Sequence, residues 1–186
     1  MTKLRLAAIA TTVGAAVLLA VLYWKTGSTV HAPPPSLAPL RLTEPAKPAP
    51  TLVFAGAGGK LHGLGEFRGR LVLLNLWATW CAPCVQELPA LAKLEASLPP
   101  GRFVVVAVDV GRDEPGDAAA FLKAHGAGGL AAYVDANAAM LRAFGAYGLP
   151  MSVLIDANGR EIARAEGPAD WSAPDSIAWF KRTARR

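Results

Sequence analysis

Apolar residues along this chain fall into short unbroken runs and longer segments in which they recur every three or four positions. Two runs, Leu71–Trp77 and Phe103–Val108, are nearly all apolar, as expected of strands that are buried on both faces of a sheet. The segment between them, Val85–Leu98, repeats leucine at helical spacing, which indicates one buried helix face. The pattern therefore predicts a β-α-β unit, with a kink in its helix at Pro89.

Shorter elements are predicted on both sides of this unit. A Gly-rich turn before it indicates an N-terminal hairpin, and Asn158-Gly159 indicates a second hairpin near the C-terminus. In chain order, these further elements are predicted at Leu52–Phe54 and Lys60–His62, Glu114–His125, Leu130–Val134, Asp135–Phe144, Met151–Ile155 and Arg160–Ala165, and Pro174–Arg182. Strands that alternate with helices and finish in a hairpin favour an α/β fold with a mixed central sheet and helices on both faces.

A longer apolar segment precedes the predicted domain. Leu6–Trp24 is uncharged over its whole length, and as a helix it would span about 28 Å, close to the thickness of a bilayer core. We interpret residues 1–25 as a single transmembrane signal-anchor; the alternative is a cleaved signal peptide, although its apolar core is usually shorter. Because Lys3 and Arg5 precede the segment, the positive-inside rule predicts that the rest of the chain is exported.

Residues 26–50 differ from the rest of the chain in their proline content. They hold seven of the 15 prolines and little that could form a core. This composition predicts an extended, semi-rigid spacer between the anchor and the domain. Recognition of a PxxP motif by a partner is the alternative. We expect the remaining residues, 51–186, to form one domain, since their number suffices for a core of their own.

The net charge of +5 suggests at first an anionic partner. From Thr51 onward, however, the chain has 14 Lys and Arg residues against 13 Asp and Glu residues, a net charge of +1. The excess lies in the anchor flank, the spacer and the C-terminal tail, and no basic stripe interleaved with aromatic residues occurs. The sequence therefore argues against nucleic-acid binding.

The only two cysteines of the chain carry its clearest chemical signal. Cys81 and Cys84 lie three positions apart, between a predicted strand and a predicted helix. Free N–H groups and the positive end of the dipole at a helix start favour a thiolate on the first sulfur. A Cys-x-x-Cys pair in this context is typical of a dithiol redox site. A metal-binding pair and an inert pair are the alternatives, but a zinc site needs two more ligands and the three histidines are scattered.

The sequence around the cysteines resembles a known family. Asn75–Pro89 is similar to the active-site segment of the TlpA/ResA-like membrane-anchored thioredoxins, and within that family to the TlpA branch. The family pattern is also found at Phe67–Arg70, Gly148–Asp156 and Gly167–Trp171. The resemblance covers about Leu52–Phe180. It implies a thioredoxin-like fold in the periplasm, anchored to the bacterial inner membrane, with no cofactor other than a redox-active Cys81–Cys84 disulfide.

The resemblance implies a role for each residue at the pair. Cys81 corresponds to the attacking thiolate and Cys84 to the buried, resolving thiol. Pro150 corresponds to the family's cis-proline, so we expect a cis Leu149-Pro150 peptide that faces the sulfurs and offers the Leu149 backbone to a substrate strand. A trans turn proline is the alternative. The residues expected to bind substrate are Trp80, Ala82, Pro83, Leu149 and Pro150.

Glu87 is the candidate proton acceptor. It corresponds to an acidic residue that the family places three positions after the second cysteine, and on a helix this spacing returns it to the Cys84 side. Asn75 stands six residues before Cys81, where ordinary thioredoxins have a buried aspartate, and an amide cannot accept the proton. We therefore expect Glu87 to deprotonate Cys84; the alternative is an ordinary solvated glutamate.

The sequence accordingly predicts a thiol:disulfide oxidoreductase. Ala82-Pro83, between the cysteines, has neither charge nor imidazole, which favours a reductase over an oxidant. The resemblance implies a disulfide-containing protein substrate, either an apocytochrome or a protein of copper-site assembly, and a membrane thiol carrier as electron donor. A Cu(I)-binding metallochaperone and a non-catalytic thioredoxin-like binding module remain the alternatives.

Overall fold

Strands and helices alternate through the computed structural model, which describes residues 30–111 and 113–185. The strands are β1 (Leu40–Pro48), β2 (Val53–Ala55), β3 (Leu61–Gly63), β4 (Leu71–Trp77), β5 (Phe103–Asp109), β6 (Ala132–Val134), β7 (Met151–Ile155) and β8 (Arg160–Glu166). The helices are α1 (Ala82–Ala96), α2 (Pro115–Ala124), α3 (Ala139–Phe144) and α4 (Pro174–Thr183). Every strand and helix that was predicted within residues 51–186 is present, with boundaries shifted by a few residues at most.

The eight described strands form one sheet in the order β1-β8-β7-β4-β5-β6-β2-β3. β4 and β5 pair in parallel along their full length, from Leu71 opposite Phe103 to Trp77 opposite Asp109. β6 extends the parallel part, whereas β7, β8 and β1 continue on the other side as antiparallel strands. The sheet is therefore mixed, and both predicted hairpins, β2–β3 and β7–β8, are present.

The two faces of the sheet carry different helices. Every residue of β4 and β5 is buried, so both faces must be covered. Because strand residues alternate between faces, Leu74 points to one side and Asn75 to the other. Leu74 belongs to a core cluster with Phe144 of α3, whereas Asn75 bonds Glu87 of α1. These contacts confirm the predicted mixed sheet with helices on both faces.

Helix α1 begins three residues earlier than the apolar pattern predicts and continues through Pro89. Cys81 is its N-cap, since the sulfur accepts a hydrogen bond from the N–H of Cys84 at 3.4 Å. Pro83 is tolerated in the first turn because the N–H that it lacks would have no partner within the helix. Ala82 and Pro83 are exposed and add nothing to the buried face, so the apolar pattern could not include them. The redox pair thus lies at the helix start.

The structure corrects the predicted extent of the Pro-rich spacer. Within residues 26–50, Leu40–Pro48 forms β1, which pairs with β8 as an edge strand. Leu37 and Leu40 are 0% and 1% exposed, so this segment contributes to the core. The spacer prediction is wrong here because an edge strand tolerates proline and because its partner strand lies far along the chain. The compact unit begins at Ala32 rather than at residue 51.

The predicted anchor, residues 1–25, lies outside the described residues. In the part of the chain that the structure describes, no helix is both long enough and apolar enough to cross a membrane. The anchor and the first residues of the spacer, 26–29, therefore stay predictions from the sequence.

Candidate active site

The two cysteines form a disulfide where the central strand β4 gives way to helix α1. Their Cα atoms are 5.3 Å apart. The segment 78–80 connects the strand to the pair, and the N–H of Cys81 donates to the carbonyl oxygen of Ala78 at 3.0 Å. The disulfide therefore lies at the carboxyl end of a central strand, the edge at which open α/β sheets place their reactive groups.

The two cysteines differ in their access to solvent. Cys81 is 5% exposed and lines an open cavity of about 530 Å³. Cys84 is completely buried. A protein disulfide can thus approach the first sulfur, whereas the second can react only with its neighbour. This asymmetry is what the predicted roles of attacking and resolving thiol require.

The cavity beside Cys81 brings together residues from two distant parts of the chain. Four of the five residues predicted to bind substrate line it: Trp80, Ala82, Pro83 and Leu149. The fifth, Pro150, is buried next to Leu149, and the Leu149-Pro150 peptide is cis, as predicted. The structure thus gathers the first four residues around the cavity beside Cys81. The role of all five in binding, and the expectation that the cis peptide faces the sulfurs, stay predictions.

Sequence reasoning missed the part of this cavity wall that comes from the end of helix α3 and the following loop. The missed residues are Leu141, Ala146, Tyr147 and Gly148. Tyr147 is 97% exposed and Trp80 is 70% exposed, so two large aromatic side chains stand open to solvent beside Cys81. A signal for Tyr147 was present, since it lies between Gly145, a residue type that commonly ends a helix, and the expected cis-proline. All the lining residues are uncharged, which makes the cavity suitable for a neutral or apolar segment.

Glu87 is buried rather than solvated, being only 5% exposed. Its Oε1 accepts a hydrogen bond from Asn75 Nδ2 at 2.8 Å, and its Oε2 accepts one from Trp171 Nε1 at 2.8 Å. Burial raises the pKa of Glu87 to about 6, against the opposing effect of the Trp171 and Asn75 donors and a backbone N–H at Ala169. Glu87 can therefore gain or lose a proton near neutral pH.

Asn75 takes part in the site as a hydrogen-bond donor. Its amide nitrogen donates to Glu87 and also to Ser152 Oγ, at 3.0 Å. The sequence analysis excludes Asn75 as a proton acceptor because an amide cannot act as a base, but it does not indicate this donor role. Trp171 was part of the family pattern, yet its contact with Glu87 spans 84 positions and no local spacing predicts it.

A second buried carboxyl group, absent from the sequence predictions, lies close to the same loop. Asp109 ends β5 opposite Trp77, and its Oδ1 accepts the N–H of Gly111 at 2.6 Å. Gly111 in turn packs beside Trp80, since a Cβ atom built on it would lie 3.3 Å from the indole nitrogen. Burial raises the pKa of Asp109 to about 7; the Gly111 N–H opposes this effect, and the carboxyl of Asp113 adds to it.

The cysteines are not accompanied by an evident set of metal ligands. Within residues 30–111 and 113–185, no group of three or more His, Cys, Asp or Glu side chains is placed to hold a metal ion. His62 bonds Glu66 at 3.0 Å, and the ring of His125 stacks on Phe121 with centroids 3.9 Å apart. Both histidines therefore have local structural contacts of their own.

Comparison with known sequences agrees with this geometry. The Redoxin family model matches residues 44–178. The thiol-disulfide oxidoreductase ResA of Bacillus thuringiensis subsp. konkukian (strain 97-27) is 33% identical over 125 residues, which cover 67% of this chain and 70% of that protein. A DsbE homologue of Paracoccus denitrificans (strain Pd 1222), named as a thiol:disulfide interchange protein, is 34% identical over 122 residues, 64% of this chain and 65% of its own.

Solved structures give the same result. A Chlorobium tepidum protein described as thiol:disulfide interchange protein DsbE superposes with a TM-score of 0.58 at 31% identity, covering 77% of this chain and 96% of that one. A DsbF homologue from Corynebacterium diphtheriae superposes with a TM-score of 0.62 at 22% identity, over 82% and 96% of the two chains. The second likeness concerns the fold alone.

Proposed function

Because this chain belongs to the Redoxin family and is a thiol-disulfide oxidoreductase of the ResA and DsbE type, we propose that it is a reductase that acts on disulfides of exported proteins. The observation that carries the proposal is the unequal access of the two cysteines: Cys81 lines an open cavity and Cys84 is fully buried. Such a pair can form a mixed disulfide with a partner through one sulfur and release it through the other.

The reaction begins with the reduced pair. The Cys81 thiolate attacks one sulfur of the substrate disulfide, and the other substrate sulfur leaves as a thiolate that takes a proton from water. Cys84 then loses its proton and attacks the sulfur of Cys81, which releases the second substrate thiolate. The substrate disulfide has gained two electrons, and the pair has become the disulfide present in this structure.

Glu87 is the proposed proton acceptor for Cys84. Both residues are buried, and a spacing of three positions puts them on the same side of helix α1. A buried thiol cannot give its proton directly to bulk water, so a neighbouring base is needed. A carboxyl group whose pKa is raised to about 6 is mostly ionised at pH 7 and is still a stronger base than an ordinary glutamate.

The proposed substrate is an extended, disulfide-containing segment of a protein. The residues proposed to bind it are Trp80, Ala82, Pro83 and Leu149, which line the cavity, together with the buried Pro150. The uncharged walls of the cavity support a neutral or apolar segment around the substrate cysteine. The family resemblance adds that the backbone of Leu149 pairs with the substrate strand.

The proposed direction is reduction, with a membrane thiol carrier as the electron donor. Ala82 and Pro83 have no charge with which to stabilise the reduced thiolate strongly, so the reduced pair is expected to give up its electrons readily. Each turnover leaves the pair oxidised, and a donor of the dithiol class must return two electrons.

We also propose that residues 1–25 anchor the chain to the inner membrane of a bacterium, with the catalytic domain in the periplasm. The uncharged segment Leu6–Trp24 and the basic residues before it support this placement. An apocytochrome or a protein of copper-site assembly is the proposed substrate, because the resemblance to the TlpA/ResA-like family implies these two substrates.

A redox titration combined with substrate trapping tests the proposal. We expect a midpoint potential nearer to that of thioredoxin, about −270 mV, than to that of the oxidant DsbA, about −120 mV. Cys84→Ser should accumulate a mixed disulfide on Cys81, and the matched control Cys81→Ser should accumulate none. A potential near the DsbA value would reverse the direction. A stoichiometric Cu(I) complex without turnover would favour a metallochaperone, and a partner retained after both cysteines become serine would favour a binding module.

A further inference from the structure

The carboxylate of Glu87 is held by side chains from two other parts of the fold. Asn75 reaches it from β4, and Trp171 reaches it from residues 167–173, the segment between β8 and α4. Both donors are 0% exposed, so water cannot readily replace either hydrogen bond. An indole N–H points in one fixed direction, whereas the hydrogen of a hydroxyl group can rotate. The Trp171 N–H therefore fixes the direction in which Glu87 Oε2 faces.

The segment that carries Trp171 is itself tied to the N-terminal 3-10 turn, Pro35–Leu37. The N–H of Asp170 donates to the carbonyl oxygen of Ser36 at 3.1 Å. Ser176 Oγ donates to the carbonyl oxygen of Asp170 at 2.6 Å, and it lies 2.7 Å from Ser36 Oγ. Because the single hydroxyl proton of Ser176 is used on Asp170, the Ser36 hydroxyl must be the donor in the contact between the two serines. Asp170 is thereby held on both its N–H and its carbonyl side.

The same turn borders the path between Glu87 and solvent. A shallow depression of about 370 Å³ reaches Glu87, and its rim includes Ser36, Pro39, Pro168 and Asp170. The carboxylate faces the sheet on its other side, through Asn75, so the depression is the side on which Glu87 approaches solvent. The N-terminal turn thus contacts both the support of Glu87 and its opening to water.

We propose that Trp171 is a positioning residue for Glu87 and that Ser36, through Ser176 and Asp170, holds Trp171 in place. This rests on the proposed function, in which Glu87 accepts the proton of Cys84. The segment before β1 is then part of the redox site rather than a passive connection. The contact between the hydroxyl groups of Ser36 and Ser176 governs how readily Glu87 accepts a proton.

The neighbours of Glu87 define what the test must control. Among the described residues, the titratable groups near Glu87 are the thiol of Cys84, three positions earlier on the same helix, and Asp170, which lines the same depression. The group that faces it from β4 is the neutral amide of Asn75, backed by the Ser152 hydroxyl of β7. In the oxidised protein the disulfide removes Cys84 from the titration, and Asp170→Asn removes the other carboxyl.

The first test replaces the indole donor. Trp171→Phe removes the N–H and keeps most of the ring, and its matched control is Trp77→Phe, since Trp77 is also fully buried and its indole N–H has no hydrogen-bond partner among the described residues. Carbon-13 NMR of the Glu87 carboxyl in the oxidised full-length protein measures the pKa of Glu87 without reference to catalysis. Loss of a donor to the charged form should raise that pKa by about one unit in Trp171→Phe, and Trp77→Phe should leave it in place.

Kinetics of the reduced protein then distinguish the proposed role of Glu87 as proton acceptor from the proposed role of Trp171 as its positioning residue. If both hold, the pH–rate profile of Trp171→Phe moves up with the NMR midpoint, so that the rate at pH 6.5 falls about threefold and recovers above pH 8.5. A raised midpoint with an unchanged rate profile would keep Trp171 as the positioning residue and remove Glu87 from the mechanism. An unchanged midpoint, or an equal shift in Trp77→Phe, would overturn the positioning role.

The second test acts on the N-terminal turn. Ser36→Ala should raise the pKa of Glu87 in the same direction as Trp171→Phe but by less, and Ser36→Thr, which keeps the hydroxyl, should restore it. Ser97→Ala is the control, since Ser97 Oγ donates to the carbonyl oxygen of Lys93, one turn earlier in the same helix. Ser36 is half-exposed, so this arm remains available if Trp171→Phe fails to fold. Equal pKa values in Ser36→Ala and wild type would remove the N-terminal turn from the proposal.

Discussion

Two buried carboxyl groups lie close to the loop that carries the cysteines, and they are supported in different ways. Burial raises the pKa of Glu87 to about 6 and that of Asp109 to about 7. Glu87 receives two side-chain donors, from Asn75 and Trp171. Asp109 receives one backbone N–H, from Gly111, and faces a second carboxyl group, that of Asp113.

The comparison distinguishes a carboxyl group that can act as a base, Glu87, from one that has a structural role, Asp109. Donors that point at a buried carboxylate stabilise its charged form and keep it able to accept a proton near neutral pH. A neighbouring carboxyl group has the opposite effect, because two like charges in one buried place favour a shared proton. We therefore expect Glu87 to affect the rate of disulfide exchange and Asp109 to affect the stability of the fold.

The largest expected effect is on the release step. In Glu87→Gln the base is lost while the shape of the side chain is kept. The substrate thiol bound to Cys81 in the mixed disulfide should therefore be released about a hundredfold more slowly at pH 7. Asp109→Asn, the matched amide substitution, should change this rate by no more than about twofold. Stopped-flow measurement of thiol release from preformed mixed disulfide provides the comparison. Similar losses in both variants would mean that both carboxyl groups take part in proton transfer.

The next effect is on stability and depends on pH. Since the pKa of Asp109 is raised in the folded state, its contribution is fully present below the unfolded value, near 4, and is lost as the pH rises through about 7. The side chain in Asp109→Asn does not ionise. The free energy of unfolding of this variant, relative to that of the wild type, should therefore increase between pH 4 and pH 8 by an amount on the order of 2 kcal/mol.

Urea unfolding of the oxidised protein at several pH values measures this gain. Carboxyl groups that do not interact with Asp109, such as Glu95 and Glu161, act equally in both proteins and cancel in the difference. Parallel curves for the variant and the wild type across this range would show that Asp109 is not protonated at neutral pH.

The sequence is sufficient for the parts of this site that depend on local spacing. It predicts the strand before the cysteines, the helix after them and, through the three-residue interval, the inward side of Glu87. It does not predict Trp171 or Ser36, because these contacts join segments 84 and 140 positions apart and depend on how the completed sheet places them. The proline-rich composition of residues 40–48 likewise conceals an edge strand whose partner comes late in the chain. The Asp109–Asp113 pair requires a turn geometry that no spacing rule specifies.

The smallest of these effects comes from making one carboxyl group resemble the other. Asn75→Asp places a carboxyl group against Glu87 Oε1, at a position where the wild type has a donor 2.8 Å away. The Glu87 site then resembles the Asp109–Asp113 pair, with one proton shared between two acids. Such a pair titrates in two steps, and the higher of the two apparent pKa values should lie above the pKa of Glu87 in the wild type. The rate of thiol release at pH 6.5 should fall about tenfold and return toward the wild-type value near pH 9, where both carboxyl groups are ionised.

Asn75→Ala serves as the control for this last substitution, since it removes the same donor without adding a charge. Its profile should shift in the same direction by less, because loss of a hydrogen bond raises the pKa of Glu87 less than loss combined with like-charge repulsion does. The pH dependence of thiol release from a mixed disulfide on Cys81 distinguishes the two variants. If Asn75→Asp were instead faster than wild type at pH 6.5, the added carboxyl group would be acting as a second base, and the donors around Glu87 would not be what sets the rate.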